Sequence, residues 1–194
     1  MHWKRSQTSK EKSQYWSKTH PIIQPHIQYG LQIWGQNISR SSRVATLQRI
    51  AVRIITFSDC NASSKPLFSQ TKILSIHQYV FKLNAILTYE VLNNMSQVAV
   101  QQSLRLEYLP DSYVTRDNKK KMLKRSYVRT TMNGMLSIRY QSVIHWNILQ
   151  KYFENTKLTS LRHTKFSEML NTYLHNKYWK NKIIIKKQTK INNK

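Results

Sequence analysis

Residues 26–57 read HIQYGLQIWGQNISRSSRVATLQRIAVRIITF. The stretch holds two helical patterns with a tight break between them. In the first, Ile27, Leu31 and Trp34 recur at i, i+4 and i+7, which is one face of a helix. Pro25 stands where a first helical residue tolerates proline, because that N–H has no intrahelical partner. Gly35 follows Trp34 and is expected to end the helix in a left-handed conformation. In the second pattern, Val44, Leu47, Ala51, Ile54 and Ile55 form an apolar stripe, and Arg49 and Arg53 fall on the other side, one turn apart. Ser41 or Ser42 is expected to cap this helix by accepting an orphan N–H. The spacing predicts a helical hairpin with an apolar seam and a basic back.

The same periodicity sets the fold class outward from this hairpin. Residues 58–66, SDCNASSKP, are small, polar and closed by a proline, and so read as a loop. Ile76, Val80, Leu83, Leu87 and Val91 then form a stripe that Phe81, Ile86 and Tyr89 widen, the signature of a central, well-buried helix. Leu104, Leu106 and Leu109 fit either a short helix or an extended piece before Pro110. Asn133–Gly134 lies between two β-favouring runs and predicts a hairpin pairing Tyr127 with Tyr140 and Arg129 with Ile138. Val143, Trp146, Leu149 and Phe153 mark a further helix. A last one, capped by Thr159 or Ser160, carries Leu161, Phe166, Met169, Leu170, Tyr173 and Leu174. The expected fold is mainly α, with about five amphipathic helices and one small β-hairpin near 127–140. Residues 1–20 read as a flexible basic leader, 21–179 as a single helical domain and 180–194 as a basic tail. Leu47, Leu83, Trp146 and Met169 are expected to share one core.

Charge bounds the partners. The chain of 194 residues has 32 Lys+Arg against 8 Asp+Glu, a formal net charge of +24. So large an excess makes a strong field for polyanions, of which nucleic acid is the commonest and an anionic membrane the next. A single cysteine, Cys60, excludes a disulfide framework within the chain. The basic start lacks the apolar core of a signal peptide. The longest aliphatic runs fall far short of the ~20 residues a membrane span needs. These features read as a soluble intracellular protein, nuclear or cytoplasmic.

Chemistry is sparse. Two-metal nucleotidyl transfer needs clustered carboxylates holding cations ~3.5–4 Å apart. The three aspartates, Asp59, Asp111 and Asp117, stand singly in polar loops. His20 and His26 are spaced like half a zinc finger, but one thiol cannot complete a structural zinc site. Cys60 beside Asp59 is disfavoured as a thiolate nucleophile. With Gly30, Gly35 and Gly134 the only glycines, no phosphate-cradling loop exists. The expectation is therefore no catalytic residue, no metal and no cofactor.

What remains is positive charge interleaved with aromatics. Residues 115–125, TRDNKKKMLKR, contain six basic residues and lead into Tyr127, Arg129 and Arg139. Lysines and arginines neutralise phosphates, and tyrosines beside them can stack on unpaired bases. The candidate phosphate contacts are Arg43, Arg49, Arg53, Lys119, Lys120, Lys121, Lys124, Arg125 and Arg129. The plainer alternative is a solvated basic loop or a nuclear localisation signal.

The order of motifs resembles the region downstream of the catalytic core in LINE-type, non-LTR retrotransposon reverse transcriptases. The matching pieces are PHIQYGLQIWGQN (25–37), LQRIAVRIITFSD (47–59), KPLFSQTKILSI (65–76), YEVLN (89–93), VTRDN (114–118), RTTMNGMLSIRYQSVIHWNIL (129–149) and LTSLRHTKFSEMLNTYL (158–174). The resemblance implies a thumb-side region followed by a C-terminal extension. The metal-binding aspartates and the endonuclease of that family would lie upstream, so no catalytic residue carries over. It implies RNA or DNA as a sequence-tolerant partner, together with the polymerase core of an intact element. Two rivals stand beside it: a basic protein bound to an anionic membrane surface, and a non-functional product of a decayed element.

Overall fold

In a computed structural model the structure describes residues 24–110, 122–130, 134–153 and 156–176. Among them the chain is mainly helical: α1 Leu31–Trp34, α2 Ile38–Ile55, α3 Ser64–Gln70, α4 Ile76–Leu92, α5 Val98–Leu104, α6 Ile138–Tyr152 and α7 His163–Asn176, with a 3-10 turn at Leu158–Ser160. The chain divides into two compact units, at His77 and Gln78.

In the first unit the first predicted helix is interrupted at Gly30, and it still ends at Trp34 with Gly35 as its C-cap, where the sequence places its end. The left-handed glycine is Gly30, at φ 62°, and not Gly35, which keeps a right-handed φ of −75°. The indole of Trp34 explains the interruption, since its Nε1 donates to the Tyr29 carbonyl at 2.9 Å and holds the turn shut. The second helix starts earlier than its expected cap. Ser41 and Ser42 lie inside α2, and Ser41 is fully buried.

α2 is rotated relative to its sequence stripe. Ser41, Gln48 and Val52 face the interior, whereas Leu47 is 65 % exposed and Ile54 67 %. The expectation that Leu47 joins a core with Leu83, Trp146 and Met169 is therefore overturned. The physical reason is Gln48. Its Nε2 donates to the Leu74 carbonyl at 2.9 Å, and its Oε1 accepts from the Ile76 N–H at 3.0 Å. Ile76 is the first residue of α4, so that N–H has no intrahelical acceptor. One side chain of α2 thus caps α4, and the helix turns its Gln48 face inward to do so. Val52, Phe68 and Ile73 pack beside it, with Leu67 partly covering them.

Helix ends here use non-glycine residues in the left-handed region. Phe57, Lys72 and Asn94 have φ of 51°, 54° and 55°. Each sits just past a helix and precedes a residue bonding five back: Ser58 N–H to Arg53 O, Ile73 N–H to Phe68 O, Met95 N–H to Glu90 O. This is the double-bonded C-terminal closure that usually carries glycine.

The second unit is held by α4, α6 and α7. Tyr89 stacks on Phe166 with ring centroids 4.5 Å apart, and its hydroxyl donates to the Leu161 carbonyl. Near the other end of α4, Gln78 Nε2 donates to Leu174 O at 2.7 Å, an orphan carbonyl of the last turn of α7. These two contacts make α4 and α7 antiparallel. Trp146 and Phe166 are both fully buried, with centroids 6.0 Å apart, and tie α6 to α7. Phe81 lies 4.5 Å from His145 and 5.7 Å from Tyr173.

α4 is central, as its stripe predicts, but its buried face includes polar residues. Asn84 and Thr88 are fully buried, while Leu83 and Leu87 are half-buried. Thr88 Oγ1 returns its hydrogen to Asn84 O at 2.8 Å, and Asn84 Nδ2 lies 3.2 Å from His145 Nδ1. Partnered in this way, buried polar groups cost little.

Among the described residues the expected hairpin at 127–140 is not seen: Ile138, Arg139 and Tyr140 are the first turn of α6, and Asn133 of the expected turn lies outside those residues. Ser137 caps that helix, its hydroxyl accepting from Tyr140 N–H. Gly134 and Met135 donate to the Thr130 carbonyl at 3.1 and 3.3 Å. A Cβ on Gly134 would come within 2.7 Å of Val128 Cβ and 2.8 Å of Thr130 O, so the glycine serves a close approach.

Tyr79 in α4 is buried, and desolvation lifts its phenol from 10.0 to about 12. A folded pKa above the unfolded one means the contribution is complete below pH 10 and is lost as pH rises through 12. Urea midpoints measured upward from pH 9 are expected to fall more steeply for the native chain than for Tyr79→Phe. Parallel profiles would show that burial of the phenol has no weight.

Candidate nucleic-acid interface

The period-two alternation Leu104, Arg105, Leu106, Glu107, Tyr108 prepares an extended segment. α5 ends at Leu104, Arg105 turns left-handed at φ 41°, and the chain then pairs antiparallel with 122–124. Leu109 N–H donates to Met122 O and Lys124 N–H to Glu107 O, each at 2.8 Å, around a bridge between Tyr108 and Leu123. Asn147 of α6 completes the pairing from the other side. Its Nδ2 donates to Leu123 O and its Oδ1 accepts from Leu123 N–H, both at 2.9 Å. A side-chain amide here imitates a neighbouring strand and fixes the ribbon to the helix.

From this anchor the chain leaves through 125–130. Exposure alternates along it: Arg125, Tyr127 and Arg129 are exposed, and Ser126 and Val128 are half-buried. Tyr127 is 89 % exposed. Val128 lies against Gly134, and Thr130 O takes the two hydrogen bonds of the next turn. An exposed aromatic ring therefore has an exposed arginine two residues before it and another two residues after it, on backbone pinned at Leu123 and at Thr130.

The other expected contacts are scattered. Lys124 lies 3.8 Å from Glu107, with both side chains more than half exposed. Such a pair is worth ~0–1 kcal/mol and leaves the ammonium accessible. Lys119, Lys120 and Lys121 lie outside the described residues. Arg43, Arg49 and Arg53 belong to the first unit. Arg43 is exposed. Arg49 is exposed but folds back, Nε to Ala45 O at 3.2 Å and Nη2 to Thr46 Oγ1 at 2.8 Å. Arg53 is half-buried and its Nε holds the Ala62 carbonyl at 2.9 Å, so it pins the loop after α2. Of the nine expected residues, the described structure brings together Lys124, Arg125 and Arg129.

Sequence reading misses Arg105 and Tyr108 as members of this surface, although the alternation at 104–108 marks the strand that carries them. Arg105 is exposed, and Tyr108 is 41 % exposed. Burial of its inner face pushes the Tyr108 phenol up. Asp59 and Cys60 are exposed in the loop after α2. Among the described residues no three His, Cys, Asp or Glu side chains converge as metal ligands. Among the same residues no helix is long and apolar enough to cross a membrane. Comparison with protein-family models, with curated proteins and with solved structures finds no match.

Proposed function

We propose that this chain binds RNA or DNA with little regard to sequence, preferring single strands, and that Arg125, Tyr127 and Arg129 form the centre of the contact. The single observation that carries the reading is the exposed Tyr127 ring, with an exposed arginine two residues before it and another two residues after it, on anchored backbone. These arginines neutralise phosphates, and the ring offers a stacking platform to any base. Lys124 and Arg105 extend the positive surface, and the net charge of +24 adds long-range attraction. None of these groups reads a base edge, so affinity is sequence-tolerant.

The chain is further proposed to be a non-catalytic piece of a LINE-type reverse transcriptase, from the thumb side and the extension beyond it. The ordered series of pieces from 25–37 to 158–174 supports this. Its test is the genomic DNA upstream: an open frame encoding a palm domain is expected, and its absence from intact copies of the locus would remove the family reading.

The binding test is fluorescence anisotropy with oligonucleotides of several sequences. Tyr127→Ala is expected to cost about 1–3 kcal/mol for single strands, with Tyr127→Phe close to the native chain. Replacing Arg125 and Arg129 by glutamine is expected to flatten the slope of log K against log[salt] by roughly two units, because each phosphate contact contributes about one. An unaltered affinity in Tyr127→Ala together with an unaltered slope would assign this segment to solvent.

A further inference from the structure

The segment Arg125–Arg129 is held through its two ends. Among the described residues no hydrogen bond reaches any residue within it. Upstream, Lys124 makes the last pairing, to Glu107, beside the buried Leu123. Downstream, Thr130 O accepts from Gly134 and Met135, and Val128 lies where a Cβ on Gly134 would be. Both ends are mounted on α6. Gly134 and Met135 lead through the Ser137 cap into its first turn, and Asn147, further along the same helix, holds Leu123. All these residues belong to the second unit.

The hydrogen bonds on either side of the Tyr108–Leu123 bridge make it a non-hydrogen-bonded pair, so the N–H and C=O of Leu123 point to the opposite edge. Leu123 is 1 % exposed, and buried backbone groups need partners. Asn147 meets both at 2.9 Å, its Nδ2 donating and its Oδ1 accepting. Only a side chain with a donor and an acceptor side by side does this, and asparagine is the shorter of the two amides. Stacking and charge respond differently to such anchoring. A guanidinium attracts phosphates over a Debye length of about 8–10 Å wherever its chain wanders. A ring stacks only where it is held, and affinity falls with the fraction of molecules that hold it there. We infer that Asn147 is a positioning residue for nucleic acid: by clamping Leu123 it presets the backbone on which Tyr127 offers its ring to an unpaired base. This rests on the nucleic-acid reading of Arg125, Tyr127 and Arg129, and adds that α6 arranges the stacking platform before the ligand arrives.

The experiment uses the full chain and a fluorescein-labelled oligothymidylate of about 15 nucleotides, read by anisotropy. Asn147→Leu keeps a side chain of similar size and loses both bonds. It is expected to weaken binding by roughly tenfold, with the slope of log K against log[salt] unchanged because the same cations still meet phosphates. In a Tyr127→Ala background the same substitution is expected to cost less than about twofold, since there is no ring left to position. Hydrogen exchange should show the Leu123 amide losing protection while Leu149 in α6 keeps its own. An unchanged affinity in Asn147→Leu would overturn the inference. So would a tenfold loss that persists without Tyr127, which would make the clamp a support of the unit alone. If Asn147→Leu melts below the assay temperature, Gly134→Ala decides by the same two criteria. It disturbs the other end, because its Cβ would lie 2.7 Å from Val128 Cβ and 2.8 Å from Thr130 O. Weakened binding in Tyr127→Ala with native binding in Asn147→Leu would remove only the role of Asn147. Native affinity in Tyr127→Ala, with a native slope when Arg125 and Arg129 are replaced, would remove the nucleic-acid reading itself and this inference with it.

Discussion

Replacing Trp146 by alanine is expected to cost about 3–5 kcal/mol of stability in the second unit, the range for removing a buried aromatic. The ring is fully buried on α6, packs against Phe166 of α7, and is among the largest side chains with no exposure. A void of that size cannot be filled by small shifts in a close-packed interior. Trp146→Phe is expected to lose far less. It keeps an aromatic ring in the site, and it removes the indole Nε1, which has no hydrogen-bond partner among the described residues. Urea unfolding monitored by circular dichroism checks both, with a lower midpoint and an unchanged slope as the expected signature. A loss below about 1 kcal/mol for the alanine variant would place Trp146 outside the core that holds α6 to α7.

The second large effect is expected at Gln48. Its amide satisfies two buried backbone groups together, the Leu74 carbonyl and the first N–H of α4. Gln48→Ala leaves both without a partner, at a cost of about 1–3 kcal/mol for each. Gln48→Met retains the length and apolar stem but neither bond, so it is expected to be nearly as damaging. That comparison separates hydrogen bonding from packing. Hydrogen exchange gives a local readout: the Ile76 amide should lose protection in both variants while the middle of α4 keeps its own. If Gln48→Met behaves like the native chain, the contact is a packing contact and the cap is provided by something else.

These two residues illustrate why some of the structure is legible in sequence and some is not. The Val143, Trp146, Leu149 pattern names α6 and its buried face correctly, since a large apolar side chain at helical spacing has one favourable place to go. Gln48 gives no such signal. A glutamine in the middle of a basic, amphipathic helix looks solvated, and only the arrival of the Leu74–Ile76 backbone makes its burial favourable. That arrival also decides which side of α2 faces in, and so turns the apolar residues Leu47 and Ile54 outward. Asn84 and Thr88 mislead in the same way, since both look like surface positions until His145 and the helix's own carbonyl supply partners.

The candidate interface divides along similar lines. Arg125, Tyr127 and Arg129 stand at two-residue spacing in the sequence, which suggests a shared side of an extended segment. The Asn133–Gly134 dipeptide suggests a tight reversal as well, and its flanks read as the strands of a hairpin. Gly134 instead serves the close approach of Val128 and Thr130, and Ser137 starts a helix. Turn chemistry fixes where the chain bends but leaves open whether a strand or a helix comes after the bend. The Ser137 cap decides for the helix here.

By itself the sequence determined the helical class, the centrality of α4, the buried faces of α6 and α7, and the strong positive charge. Each comes from periodicity or from a count of ionisable groups, which no tertiary arrangement can alter. The tertiary structure decided which face of α2 is buried, which polar side chains cap distant helices, and that Tyr127 and the arginines two residues to either side stand exposed on anchored backbone. Those outcomes depend on hydrogen-bond partners 24 to 96 residues apart in the chain. The free energy of satisfying such groups is absent until the fold brings them together.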